Sequence, residues 1–341
     1  MATRKTLGRS VLVFALAAGA LALAARTPVL EAQGRSDLEA QHQRLLPLFE
    51  LAGVVFTDAD EARGRLVVGV LDRDVEGPVR GRLRALGVTS QSVDVVETDA
   101  IFQVATLRDR APAIVAGLQI RFSQYLCSLG FNAFNENGLP GFVTASHCSD
   151  RQGSVDGTTY YQPSAQVPND LIGTEIADPA YVRNGAGCPK GRKCRRSDAN
   201  FSRAEGPRPF TLGSIARTIP GSLTIDPANP SFDITSDDVA GVGSIAHKVG
   251  RTTGWTQGTV TNTCVNTGVS GTTLVLLCQT FVSGDGVIVG GGDSGSPVFA
   301  LSGNGAATLL GGLWGGNSSG TQFVYSPIAN IRSELGDLTT K

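Results

Sequence analysis

The stretch Gly290-Gly-Gly-Asp-Ser-Gly-Ser-Pro297 decides how the rest of the chain is interpreted. A serine hydroxyl attacks a carbonyl carbon well only when a base takes its proton and hydrogen-bond donors receive the charge on the oxygen. Glycines before Ser294 let the backbone turn so that the amides of Gly292 and Ser294 point at that oxygen. Alone, the stretch also fits an ordinary glycine-rich loop. It lacks the G-K-[ST] ending of a phosphate loop, and Ser296 replaces the last glycine of a G-x-S-x-G nucleophile elbow.

A second segment, Gly141-Phe-Val-Thr-Ala-Ser-His-Cys148, predicts a strand that ends on a histidine followed at once by a cysteine. A disulfide beside the imidazole would hold it in place, so His147 is the best candidate for a general base. His42 lies in a predicted helix and His247 in a polar turn, which makes them weaker candidates. A lone histidine is also compatible with plain surface or core packing.

A third segment, Arg196-Ser-Asp-Ala-Asn-Phe-Ser202, places Asp198 between the candidate base and the candidate nucleophile. A carboxylate there can accept the other N–H of the histidine and favour the imidazolium. Position alone selects weakly among 30 acidic residues. The chain order His, Asp, Ser adds weight because it is a known triad order, whereas α/β-hydrolases have Ser, acid, His.

Together the three segments resemble the trypsin and chymotrypsin superfamily of serine peptidases, over about residues 114–331. The chain looks most like the bacterial secreted branch that includes streptogrisins and α-lytic protease. Three further segments carry this likeness: Leu126 to Phe131, Val249 to Trp255 and Gln322 to Ile328.

The resemblance implies an all-β fold, a chymotrypsin-like double six-stranded antiparallel β-barrel, with serine-type endopeptidase activity on polypeptides. It implies a triad of His147, Asp198 and Ser294, an oxyanion hole made by the amides of Gly292 and Ser294, and no cofactor or metal. It also implies a disulfide between Cys127 and Cys148 beside the histidine.

The substrate pocket departs from that of trypsin. The residue six before the nucleophile is an acid in trypsin and Ile288 here, which predicts apolar or small side chains before the cut bond. Leu313-Trp-Gly-Gly316 resembles the strand that pairs with the substrate backbone, so Trp314, Gly315 and Gly316 join the predicted pocket. Trp314 aligns either with a tryptophan of the mammalian enzymes or with a small polar residue of the bacterial branch.

Asp293 needs a cationic partner because a buried, unpaired carboxylate is costly. In trypsin the partner is the amine freed by zymogen cleavage, and Ile114 begins a similar segment. In the bacterial branch it is an internal cation, for which Lys248 or Arg251 is suitably placed. We favour the internal cation.

Composition fits this interpretation. The chain has 43 glycines, one methionine, 41% hydrophobic and 17% charged residues, which favours turn-rich β structure. A net charge of −1 argues against nucleic acid or an anionic membrane surface as a partner. We expect a monomer.

Residues 1–25 have the basic start, apolar run and small-residue site of an export signal, with an uncleaved anchor as the alternative. A secreted chain, extracellular or periplasmic, is therefore expected to oxidise its six cysteines. Of 15 possible pairings we adopt nearest neighbours. These are Cys127 with Cys148, Cys188 with Cys194, and Cys264 with Cys278. Zinc is disfavoured by the spacing, which contains neither C-x-x-C nor H-E-x-x-H.

Three domains follow: the signal at 1–25, an α+β module at 33–108 and the peptidase domain at 113–341. The module is predicted to have helices over 37–52 and 79–86 and strands over 54–56, 65–71, 92–97 and 101–106. Residues 106–113 form the predicted linker. In the bacterial branch such a module is a pro-region that assists folding and is then cut away.

Two alternatives stay open. The same triad would also serve an esterase or other acyl hydrolase, and the barrel could be kept by a catalytically silent binding protein. A sugar-cleaving pair of carboxylates is conceivable, but no spacing selects one.

Overall fold

The computed structural model describes residues 28–163, 168–185, 187–303 and 305–341. They form two compact units, with the boundary between Phe102 and Gln103. The predicted export signal at 1–25 lies outside the described residues. Within the described ranges, no helix is long and apolar enough to cross a membrane.

The first unit is a three-stranded sheet with helices. Its elements are α1 Pro28–Gln43, β1 Val54–Asp60, β2 Arg65–Val70, α2 Glu76–Ala85 and β3 Val93–Glu97. β1 pairs antiparallel with β2, and β2 pairs parallel with β3. Apolar side chains from the sheet and α2 make its core, among them the fully buried Val68 and Leu83.

Two sequence predictions for this unit are wrong. The predicted helix over 37–52 ends at Gln43, and a short 3₁₀ turn, Leu46–Glu50, follows, with a proline in its first turn. The predicted strand over 101–106 does not form, and residues 98–105 have neither helix nor strand. The apolar side chains there stay in solvent: Ile101 is 78% exposed and Val104 77%.

The second unit consists mainly of strands and ends in one helix. Its elements are β4 Ile114–Ala116, β5 Gln119–Phe122, β6 Tyr125–Ser128, β7 Phe131–Phe134, β8 Pro140–Thr144, β9 Thr159–Tyr161, β10 Leu171–Ala177, β11 Val182–Arg183, β12 Lys193–Arg195, β13 Asn200–Ala204, β14 Phe210–Ala216, β15 Ser231–Asp237, β16 Ile245–Gly250, β17 Gly254–Gly268, β18 Leu274–Ser283, β19 Pro297–Leu301, β20 Ala306–Gly316, β21 Gln322–Pro327 and α3 Ile328–Leu335.

The first barrel closes because its sheet begins and ends on neighbouring pieces of chain. The strand order is β6-β5-β9-β10-β13-β8-β7, with every pairing antiparallel. β6 and β7 are separated only by Leu129 and Gly130, whose amides still bond to Leu118 and Val143. Counting β6 and β7 as one bent strand gives six strands in a ring.

The second barrel closes by pairing alone. β16, β17, β18, β21, β20 and β19 pair antiparallel in that order, and β19 returns to β16. Further strands extend this sheet at β18 and at β20. The predicted double six-stranded antiparallel barrel is therefore confirmed, with extra strands on the second barrel.

Side-chain alternation explains which faces are buried. In β15, Phe232 and Ile234 point into the core while Asp233 between them is exposed, as the two-residue repeat of a strand requires. β16 is different, because five of its six residues are buried. A strand covered on both faces must bury whatever polar residues it has, and β16 buries Lys248 completely.

Residues 105–112, which we call the strap, belong to the second unit. The Ala105 carbonyl accepts from the Ile225 amide at 2.8 Å, and the Leu107 amide donates to the Leu223 carbonyl at 3.0 Å. Leu107 is fully buried. This side of the strap is thus fixed to the loop between β14 and β15.

The strap is also fixed to the first barrel. The Gln162 side chain donates to the Asp109 carbonyl at 2.8 Å and accepts from the Ala111 amide at 3.2 Å. Arg208 donates to the Ala111 carbonyl at 3.1 Å. The predicted linker at residues 106–113 is therefore wrong, because these residues are packed into the barrels. The segment that connects the two units precedes them.

Candidate active site

The loop between β18 and β19 carries Ser294 on a tight turn. The Asp293 amide donates to the Gly290 carbonyl and the Ser296 amide to the Asp293 carbonyl, both at 3.0 Å. Gly295 has φ +89°, and a Cβ there would lie 2.2 Å from the Ser128 carbonyl oxygen. Only glycine fits after the serine, because a side chain would be both strained and blocked.

Ser128 joins this loop to the first barrel. Its amide donates to the Ser294 carbonyl at 2.8 Å, and its hydroxyl donates to the Gly292 carbonyl at 2.9 Å. The same hydroxyl accepts from the Arg251 amide at 3.0 Å. The peptide planes of the Gly292 and Ser294 amides are held as well, because the Gly291 carbonyl accepts from the Thr252 hydroxyl at 2.6 Å and the Asp293 carbonyl from the Ser296 amide at 3.0 Å.

The amides of Gly292 and Ser294 are the predicted oxyanion donors. Neither has a hydrogen-bond acceptor among the residues that the structure describes. Gly292 has φ +94°, a conformation that favours glycine. Two uncommitted N–H groups beside a serine hydroxyl can receive the charge of a carbonyl oxygen.

His147 and Asp198 form a close pair. His147 lies in a short 3₁₀ turn after β8, and its Nδ1 is 2.6 Å from Asp198 Oδ2. The His147 backbone amide also donates to Asp198 Oδ1 at 3.1 Å. The disulfide between Cys127 and Cys148 fixes the next residue. This pairing leaves Nε2 as the free ring nitrogen of His147.

Electrostatic interactions favour a protonated His147 ring beside an ionised Asp198 carboxylate. Burial disfavours a charged His147 ring, yet the Asp198 carboxylate outweighs it and the pKa of His147 lies above its ordinary value. Burial acts to raise the pKa of Asp198, but the His147 ring holds that pKa below its ordinary value. Asp198 thus stays a carboxylate that can stabilise an imidazolium.

His147 and Ser294 line the same cavity, together with Gly292, Tyr125 and Cys127. Among the described hydrogen bonds, none joins the His147 ring to the Ser294 hydroxyl. Such contacts are often long before substrate binds and shorten in the complex. The three predicted triad residues are therefore gathered at one cleft, with the His147–Asp198 contact already formed.

Asp293 is fully buried and paired with Lys248. Lys248 Nζ lies 3.3 Å from Asp293 Oδ2 and also donates to the Gly254 carbonyl at 2.9 Å. The Thr252 amide donates to Asp293 Oδ1 at 2.8 Å. Arg251 instead donates to Gln119. The Ile114 amide, the other sequence candidate, is a backbone donor within β4 and bonds to the Pro209 carbonyl.

The predicted pocket residues separate into two groups. Gly315 and Gly316 line a cavity beside Ser294, with Val287 and Val289. Ile288 is only 6% exposed, belongs to the core of the second barrel and is absent from the lining, whereas its two neighbours line the cavity. Val287 is 65% exposed, while Val289 is 7% exposed and belongs to the same core.

Trp314 faces a neighbouring cavity on the His147 and Asp198 side. Its indole N–H donates to the Gln279 side chain at 2.9 Å. It therefore forms a wall of the cleft beside the triad and does not line the Ser294 pocket.

Sequence reasoning missed Gln152 and Tyr181, both of which reach Asp198. Gln152 Nε2 lies 3.3 Å and the Tyr181 hydroxyl 3.5 Å from Asp198 Oδ1. Neither residue belongs to a motif, and they precede Asp198 by 46 and 17 positions. No signal in the sequence marks them.

The remaining cysteines pair as nearest neighbours. Cys188 bonds to Cys194, which precedes Asp198 by four residues, and Cys264 bonds to Cys278 across the β17–β18 hairpin. Within the described ranges, no three His, Cys, Asp or Glu side chains are grouped so that they could hold a metal ion.

Comparison with solved structures gives a likeness in fold. No family model matches the chain. Among solved structures it is similar to Nocardiopsis protease (NAPase), at 24% identity and TM-score 0.48, covering 67% of this chain and 99% of that one. It is similar to Thermobifida fusca Protease A, at 25% identity and TM-score 0.47, covering 67% and 100%. It is also similar to Cellulomonas bogoriensis chymotrypsin, at 23% identity and TM-score 0.45, covering 67% and 98%.

Lys248 is expected to set an upper pH limit on any activity of this loop. Burial lowers the pKa of Lys248 from 10.5 to about 8, although Asp293 favours the charged form. The ammonium is present below that pH and lost above it, so activity should fall as pH rises through about 8. Arginine keeps its charge there, so Lys248→Arg should extend activity to higher pH. The measurement is kcat/KM against pH for both proteins.

Stability provides the control, because the same titration acts on it with the opposite sign. From pH 8 to 10.5 the unfolded chain holds a proton that folded Lys248 has released, so the free energy of unfolding should rise relative to that of Lys248→Arg. An identical alkaline limit in both proteins would contradict the assignment.

Proposed function

We propose that this chain is a secreted serine endopeptidase that forms an acyl-enzyme on Ser294. One observation carries the proposal. A hydrogen-bonded His147–Asp198 pair, two uncommitted amides and Ser294 meet at one cleft. A general base, an oxyanion site and a nucleophile are the parts that acyl transfer needs.

The reaction uses these groups in two halves. The Ser294 oxygen bonds to the carbonyl carbon while His147 Nε2 takes its proton, and the amides of Gly292 and Ser294 receive the oxyanion. The C–N bond then breaks, and His147 gives the proton to the leaving amine. Water adds to the acyl carbon while His147 takes its proton. The C–O bond to Ser294 then breaks, and His147 returns the proton to the Ser294 oxygen to restore the hydroxyl. Asp198 holds the ring and stabilises its charge throughout.

The shape of the cleft favours polypeptides over small esters. Cavities lie on both sides of the nucleophile: Ser294 lines two of them, and His147 lines the second and a third. Gly315 and Gly316 connect the first cavity with the third. An extended cleft suits a chain that binds on both sides of the scissile bond.

The cavity beside Ser294 favours apolar or small side chains before the cut bond. Val287, Val289 and Leu313 supply its apolar surface, and glycines, Asn317 and two serines complete it. Among the residues that the structure describes, no charged side chain lines it. A lysine, arginine or glutamate side chain would lose hydration there without gaining an opposite charge.

Three disulfides support an oxidising compartment, since such bonds persist outside the cytosol. Together with the export-signal pattern at residues 1–25, they support secretion.

We also propose that the first unit is removed by cutting before the strap. Residues from Ala105 onward are bonded into the barrels, so a later cut would have to break into packed structure. Thr98, in contrast, still bonds to Val70 of the first unit. Between them, Ile101, Phe102 and Val104 are exposed and apolar, which matches the proposed pocket preference.

Replacing the nucleophile should abolish hydrolysis. Ser294→Ala is expected to lower kcat on a peptide substrate by about a thousandfold or more, because the remaining groups give only residual catalysis. A fluorophosphonate should label the wild type at Ser294 and leave the variant unlabelled, as mass spectrometry can show. Ser302 is an exposed serine outside the predicted triad, so Ser302→Ala serves as the control and should keep full activity. A loss smaller than about tenfold for Ser294→Ala would contradict the triad.

Filling the Ser294 cavity should change side-chain preference. A Cβ at Gly315 meets no atom within 4 Å, so Gly315→Val should fold and narrow the cavity. We expect kcat/KM to fall by about tenfold or more for peptides with phenylalanine or leucine before the cut, and much less for alanine. Gly286→Val, also in open space but outside the cavity lining, is the matched control. An equal loss on all peptides would rule out this cavity as the source of preference.

The mature N-terminus should fall between Asp99 and Ala105. Intact mass and N-terminal sequencing of the secreted form measure it, and Ser294→Ala chain should remain uncut until active enzyme is added. Aspartate at Ile101, Phe102 and Val104 should slow the cut, since the cavity does not accept charge. Aspartate at Leu46 and Phe49, which are exposed outside this segment, should not. A terminus at residue 113 or 114 would contradict the proposal.

A further inference from the structure

Asp198 is nearly buried, with 3% of its side chain exposed, so its four lone-pair positions need donors from the protein. His147 supplies two, from Nδ1 to Oδ2 and from its backbone amide to Oδ1. Gln152 Nε2 at 3.3 Å and the Tyr181 hydroxyl at 3.5 Å are further donors, both to Oδ1, so that Oδ1 has three donors and Oδ2 one.

Other polar groups near Asp198 have different partners. Ser326 Oγ accepts from the Asp198 backbone amide at 3.0 Å and donates to Gln279 at 2.9 Å. The Trp314 indole N–H also donates to Gln279. Within the described residues, Gln152 and Tyr181 are therefore the only side chains other than His147 that donate to the Asp198 carboxylate.

We propose that Gln152 and Tyr181 are positioning residues that hold the Asp198 carboxylate against His147, an inference that rests on the proposed peptidase function. They form a unit, since Gln152 Nε2 donates to the Tyr181 hydroxyl at 2.9 Å while both reach the same carboxylate oxygen. With Oδ1 held by this unit, Oδ2 faces Nδ1 of the histidine.

The surrounding structure fixes this pair. Gly153 has φ +74°, and a Cβ there would lie 2.6 Å from the Tyr181 ring, so the glycine allows the turn after Gln152 to pack on the tyrosine. The Gly153 amide donates to Asp178 at 2.7 Å. Asp178 is bound at 2.6 Å by Arg195, whose guanidinium lies 5.5 Å from the centre of the Tyr181 ring.

The charged groups facing the triad carboxylate are His147 and Arg195, with Asp178 and the neutral Tyr181 behind them. Burial raises the pKa of Tyr181, so its hydroxyl keeps the proton that it donates. Donors on Oδ1 draw charge away from Oδ2. Without them, Asp198 should hold the His147 proton more tightly and orient the ring less well.

The test compares Gln152→Leu, Tyr181→Phe and the double variant with the wild type. We expect each single variant to lower kcat about 5- to 20-fold with KM within about twofold, because orientation of the base matters most in the transition state. The acid limb of kcat/KM should move to higher pH in both. The double variant should lose less than the product of the single losses, since the two residues act as one unit. Tyr161→Phe removes a phenol hydroxyl from β9, outside the cleft lining, and should change nothing.

A readout without hydrolysis separates this inference from the proposed function. The chain has three histidines, so the His147 ring can be assigned and titrated by NMR in the Ser294→Ala background. Gln152→Leu and Tyr181→Phe should raise the measured pKa of His147 there, and Tyr161→Phe should not. An unshifted pKa together with unchanged kcat in an active enzyme would overturn the positioning role. A wild type without activity or fluorophosphonate labelling would instead overturn the proposed function, while the titration still decides the role of the pair.

Discussion

The candidate site depends on holding two barrels in register, because its parts come from both. His147 follows a strand of the first barrel and Ser294 lies on a loop of the second. Ser128, with no exposed surface, bonds to the backbone on both sides of Asp293 across this seam. A shift of one barrel against the other would break those bonds and would also separate His147 from Ser294. Misplacement by about 1 Å is enough to cost a large factor in rate.

The second constraint is the burial of two carboxylates, those of Asp293 and Asp198. Each obtains its hydrogen-bond donors in a different way. Asp293 is satisfied by an ammonium, a hydroxyl and backbone amides. Asp198 is satisfied by the histidine that it serves and by neutral donors. A strong cation bonded to Asp198 would compete with the imidazolium, whereas neutral donors leave room for it. The choice of partner therefore follows from what each carboxylate has to do.

The sequence predicted what depends on local motifs and short spacings. Ser294, His147 and Asp198 stand in segments whose residue types have chemical meaning on their own, and the barrel fold followed from their joint resemblance. It did not predict Gln152 and Tyr181, because they lie in loops that only the fold brings to Asp198 and their residue types are common. It chose Ile288 for the pocket by counting positions, whereas Val287 and Val289 line the cavity in the structure. It read residues 106–113 as a linker because charged residues and a proline suggest one. The hydrogen bonds of this segment with Leu223 and Gln162 depend on the fold, so the sequence alone does not indicate them.

The buried Lys248 has a consequence for how such a protein could be kept latent. Its ammonium reaches Asp293 from within the same barrel, so the nucleophile loop needs no newly created terminus to take its shape. The uncut chain already contains every group that the loop requires. Inhibition of the uncut chain would then have to be steric, by a segment that occupies the cleft. Departure of that segment would relieve the inhibition without a conformational change in the nucleophile loop.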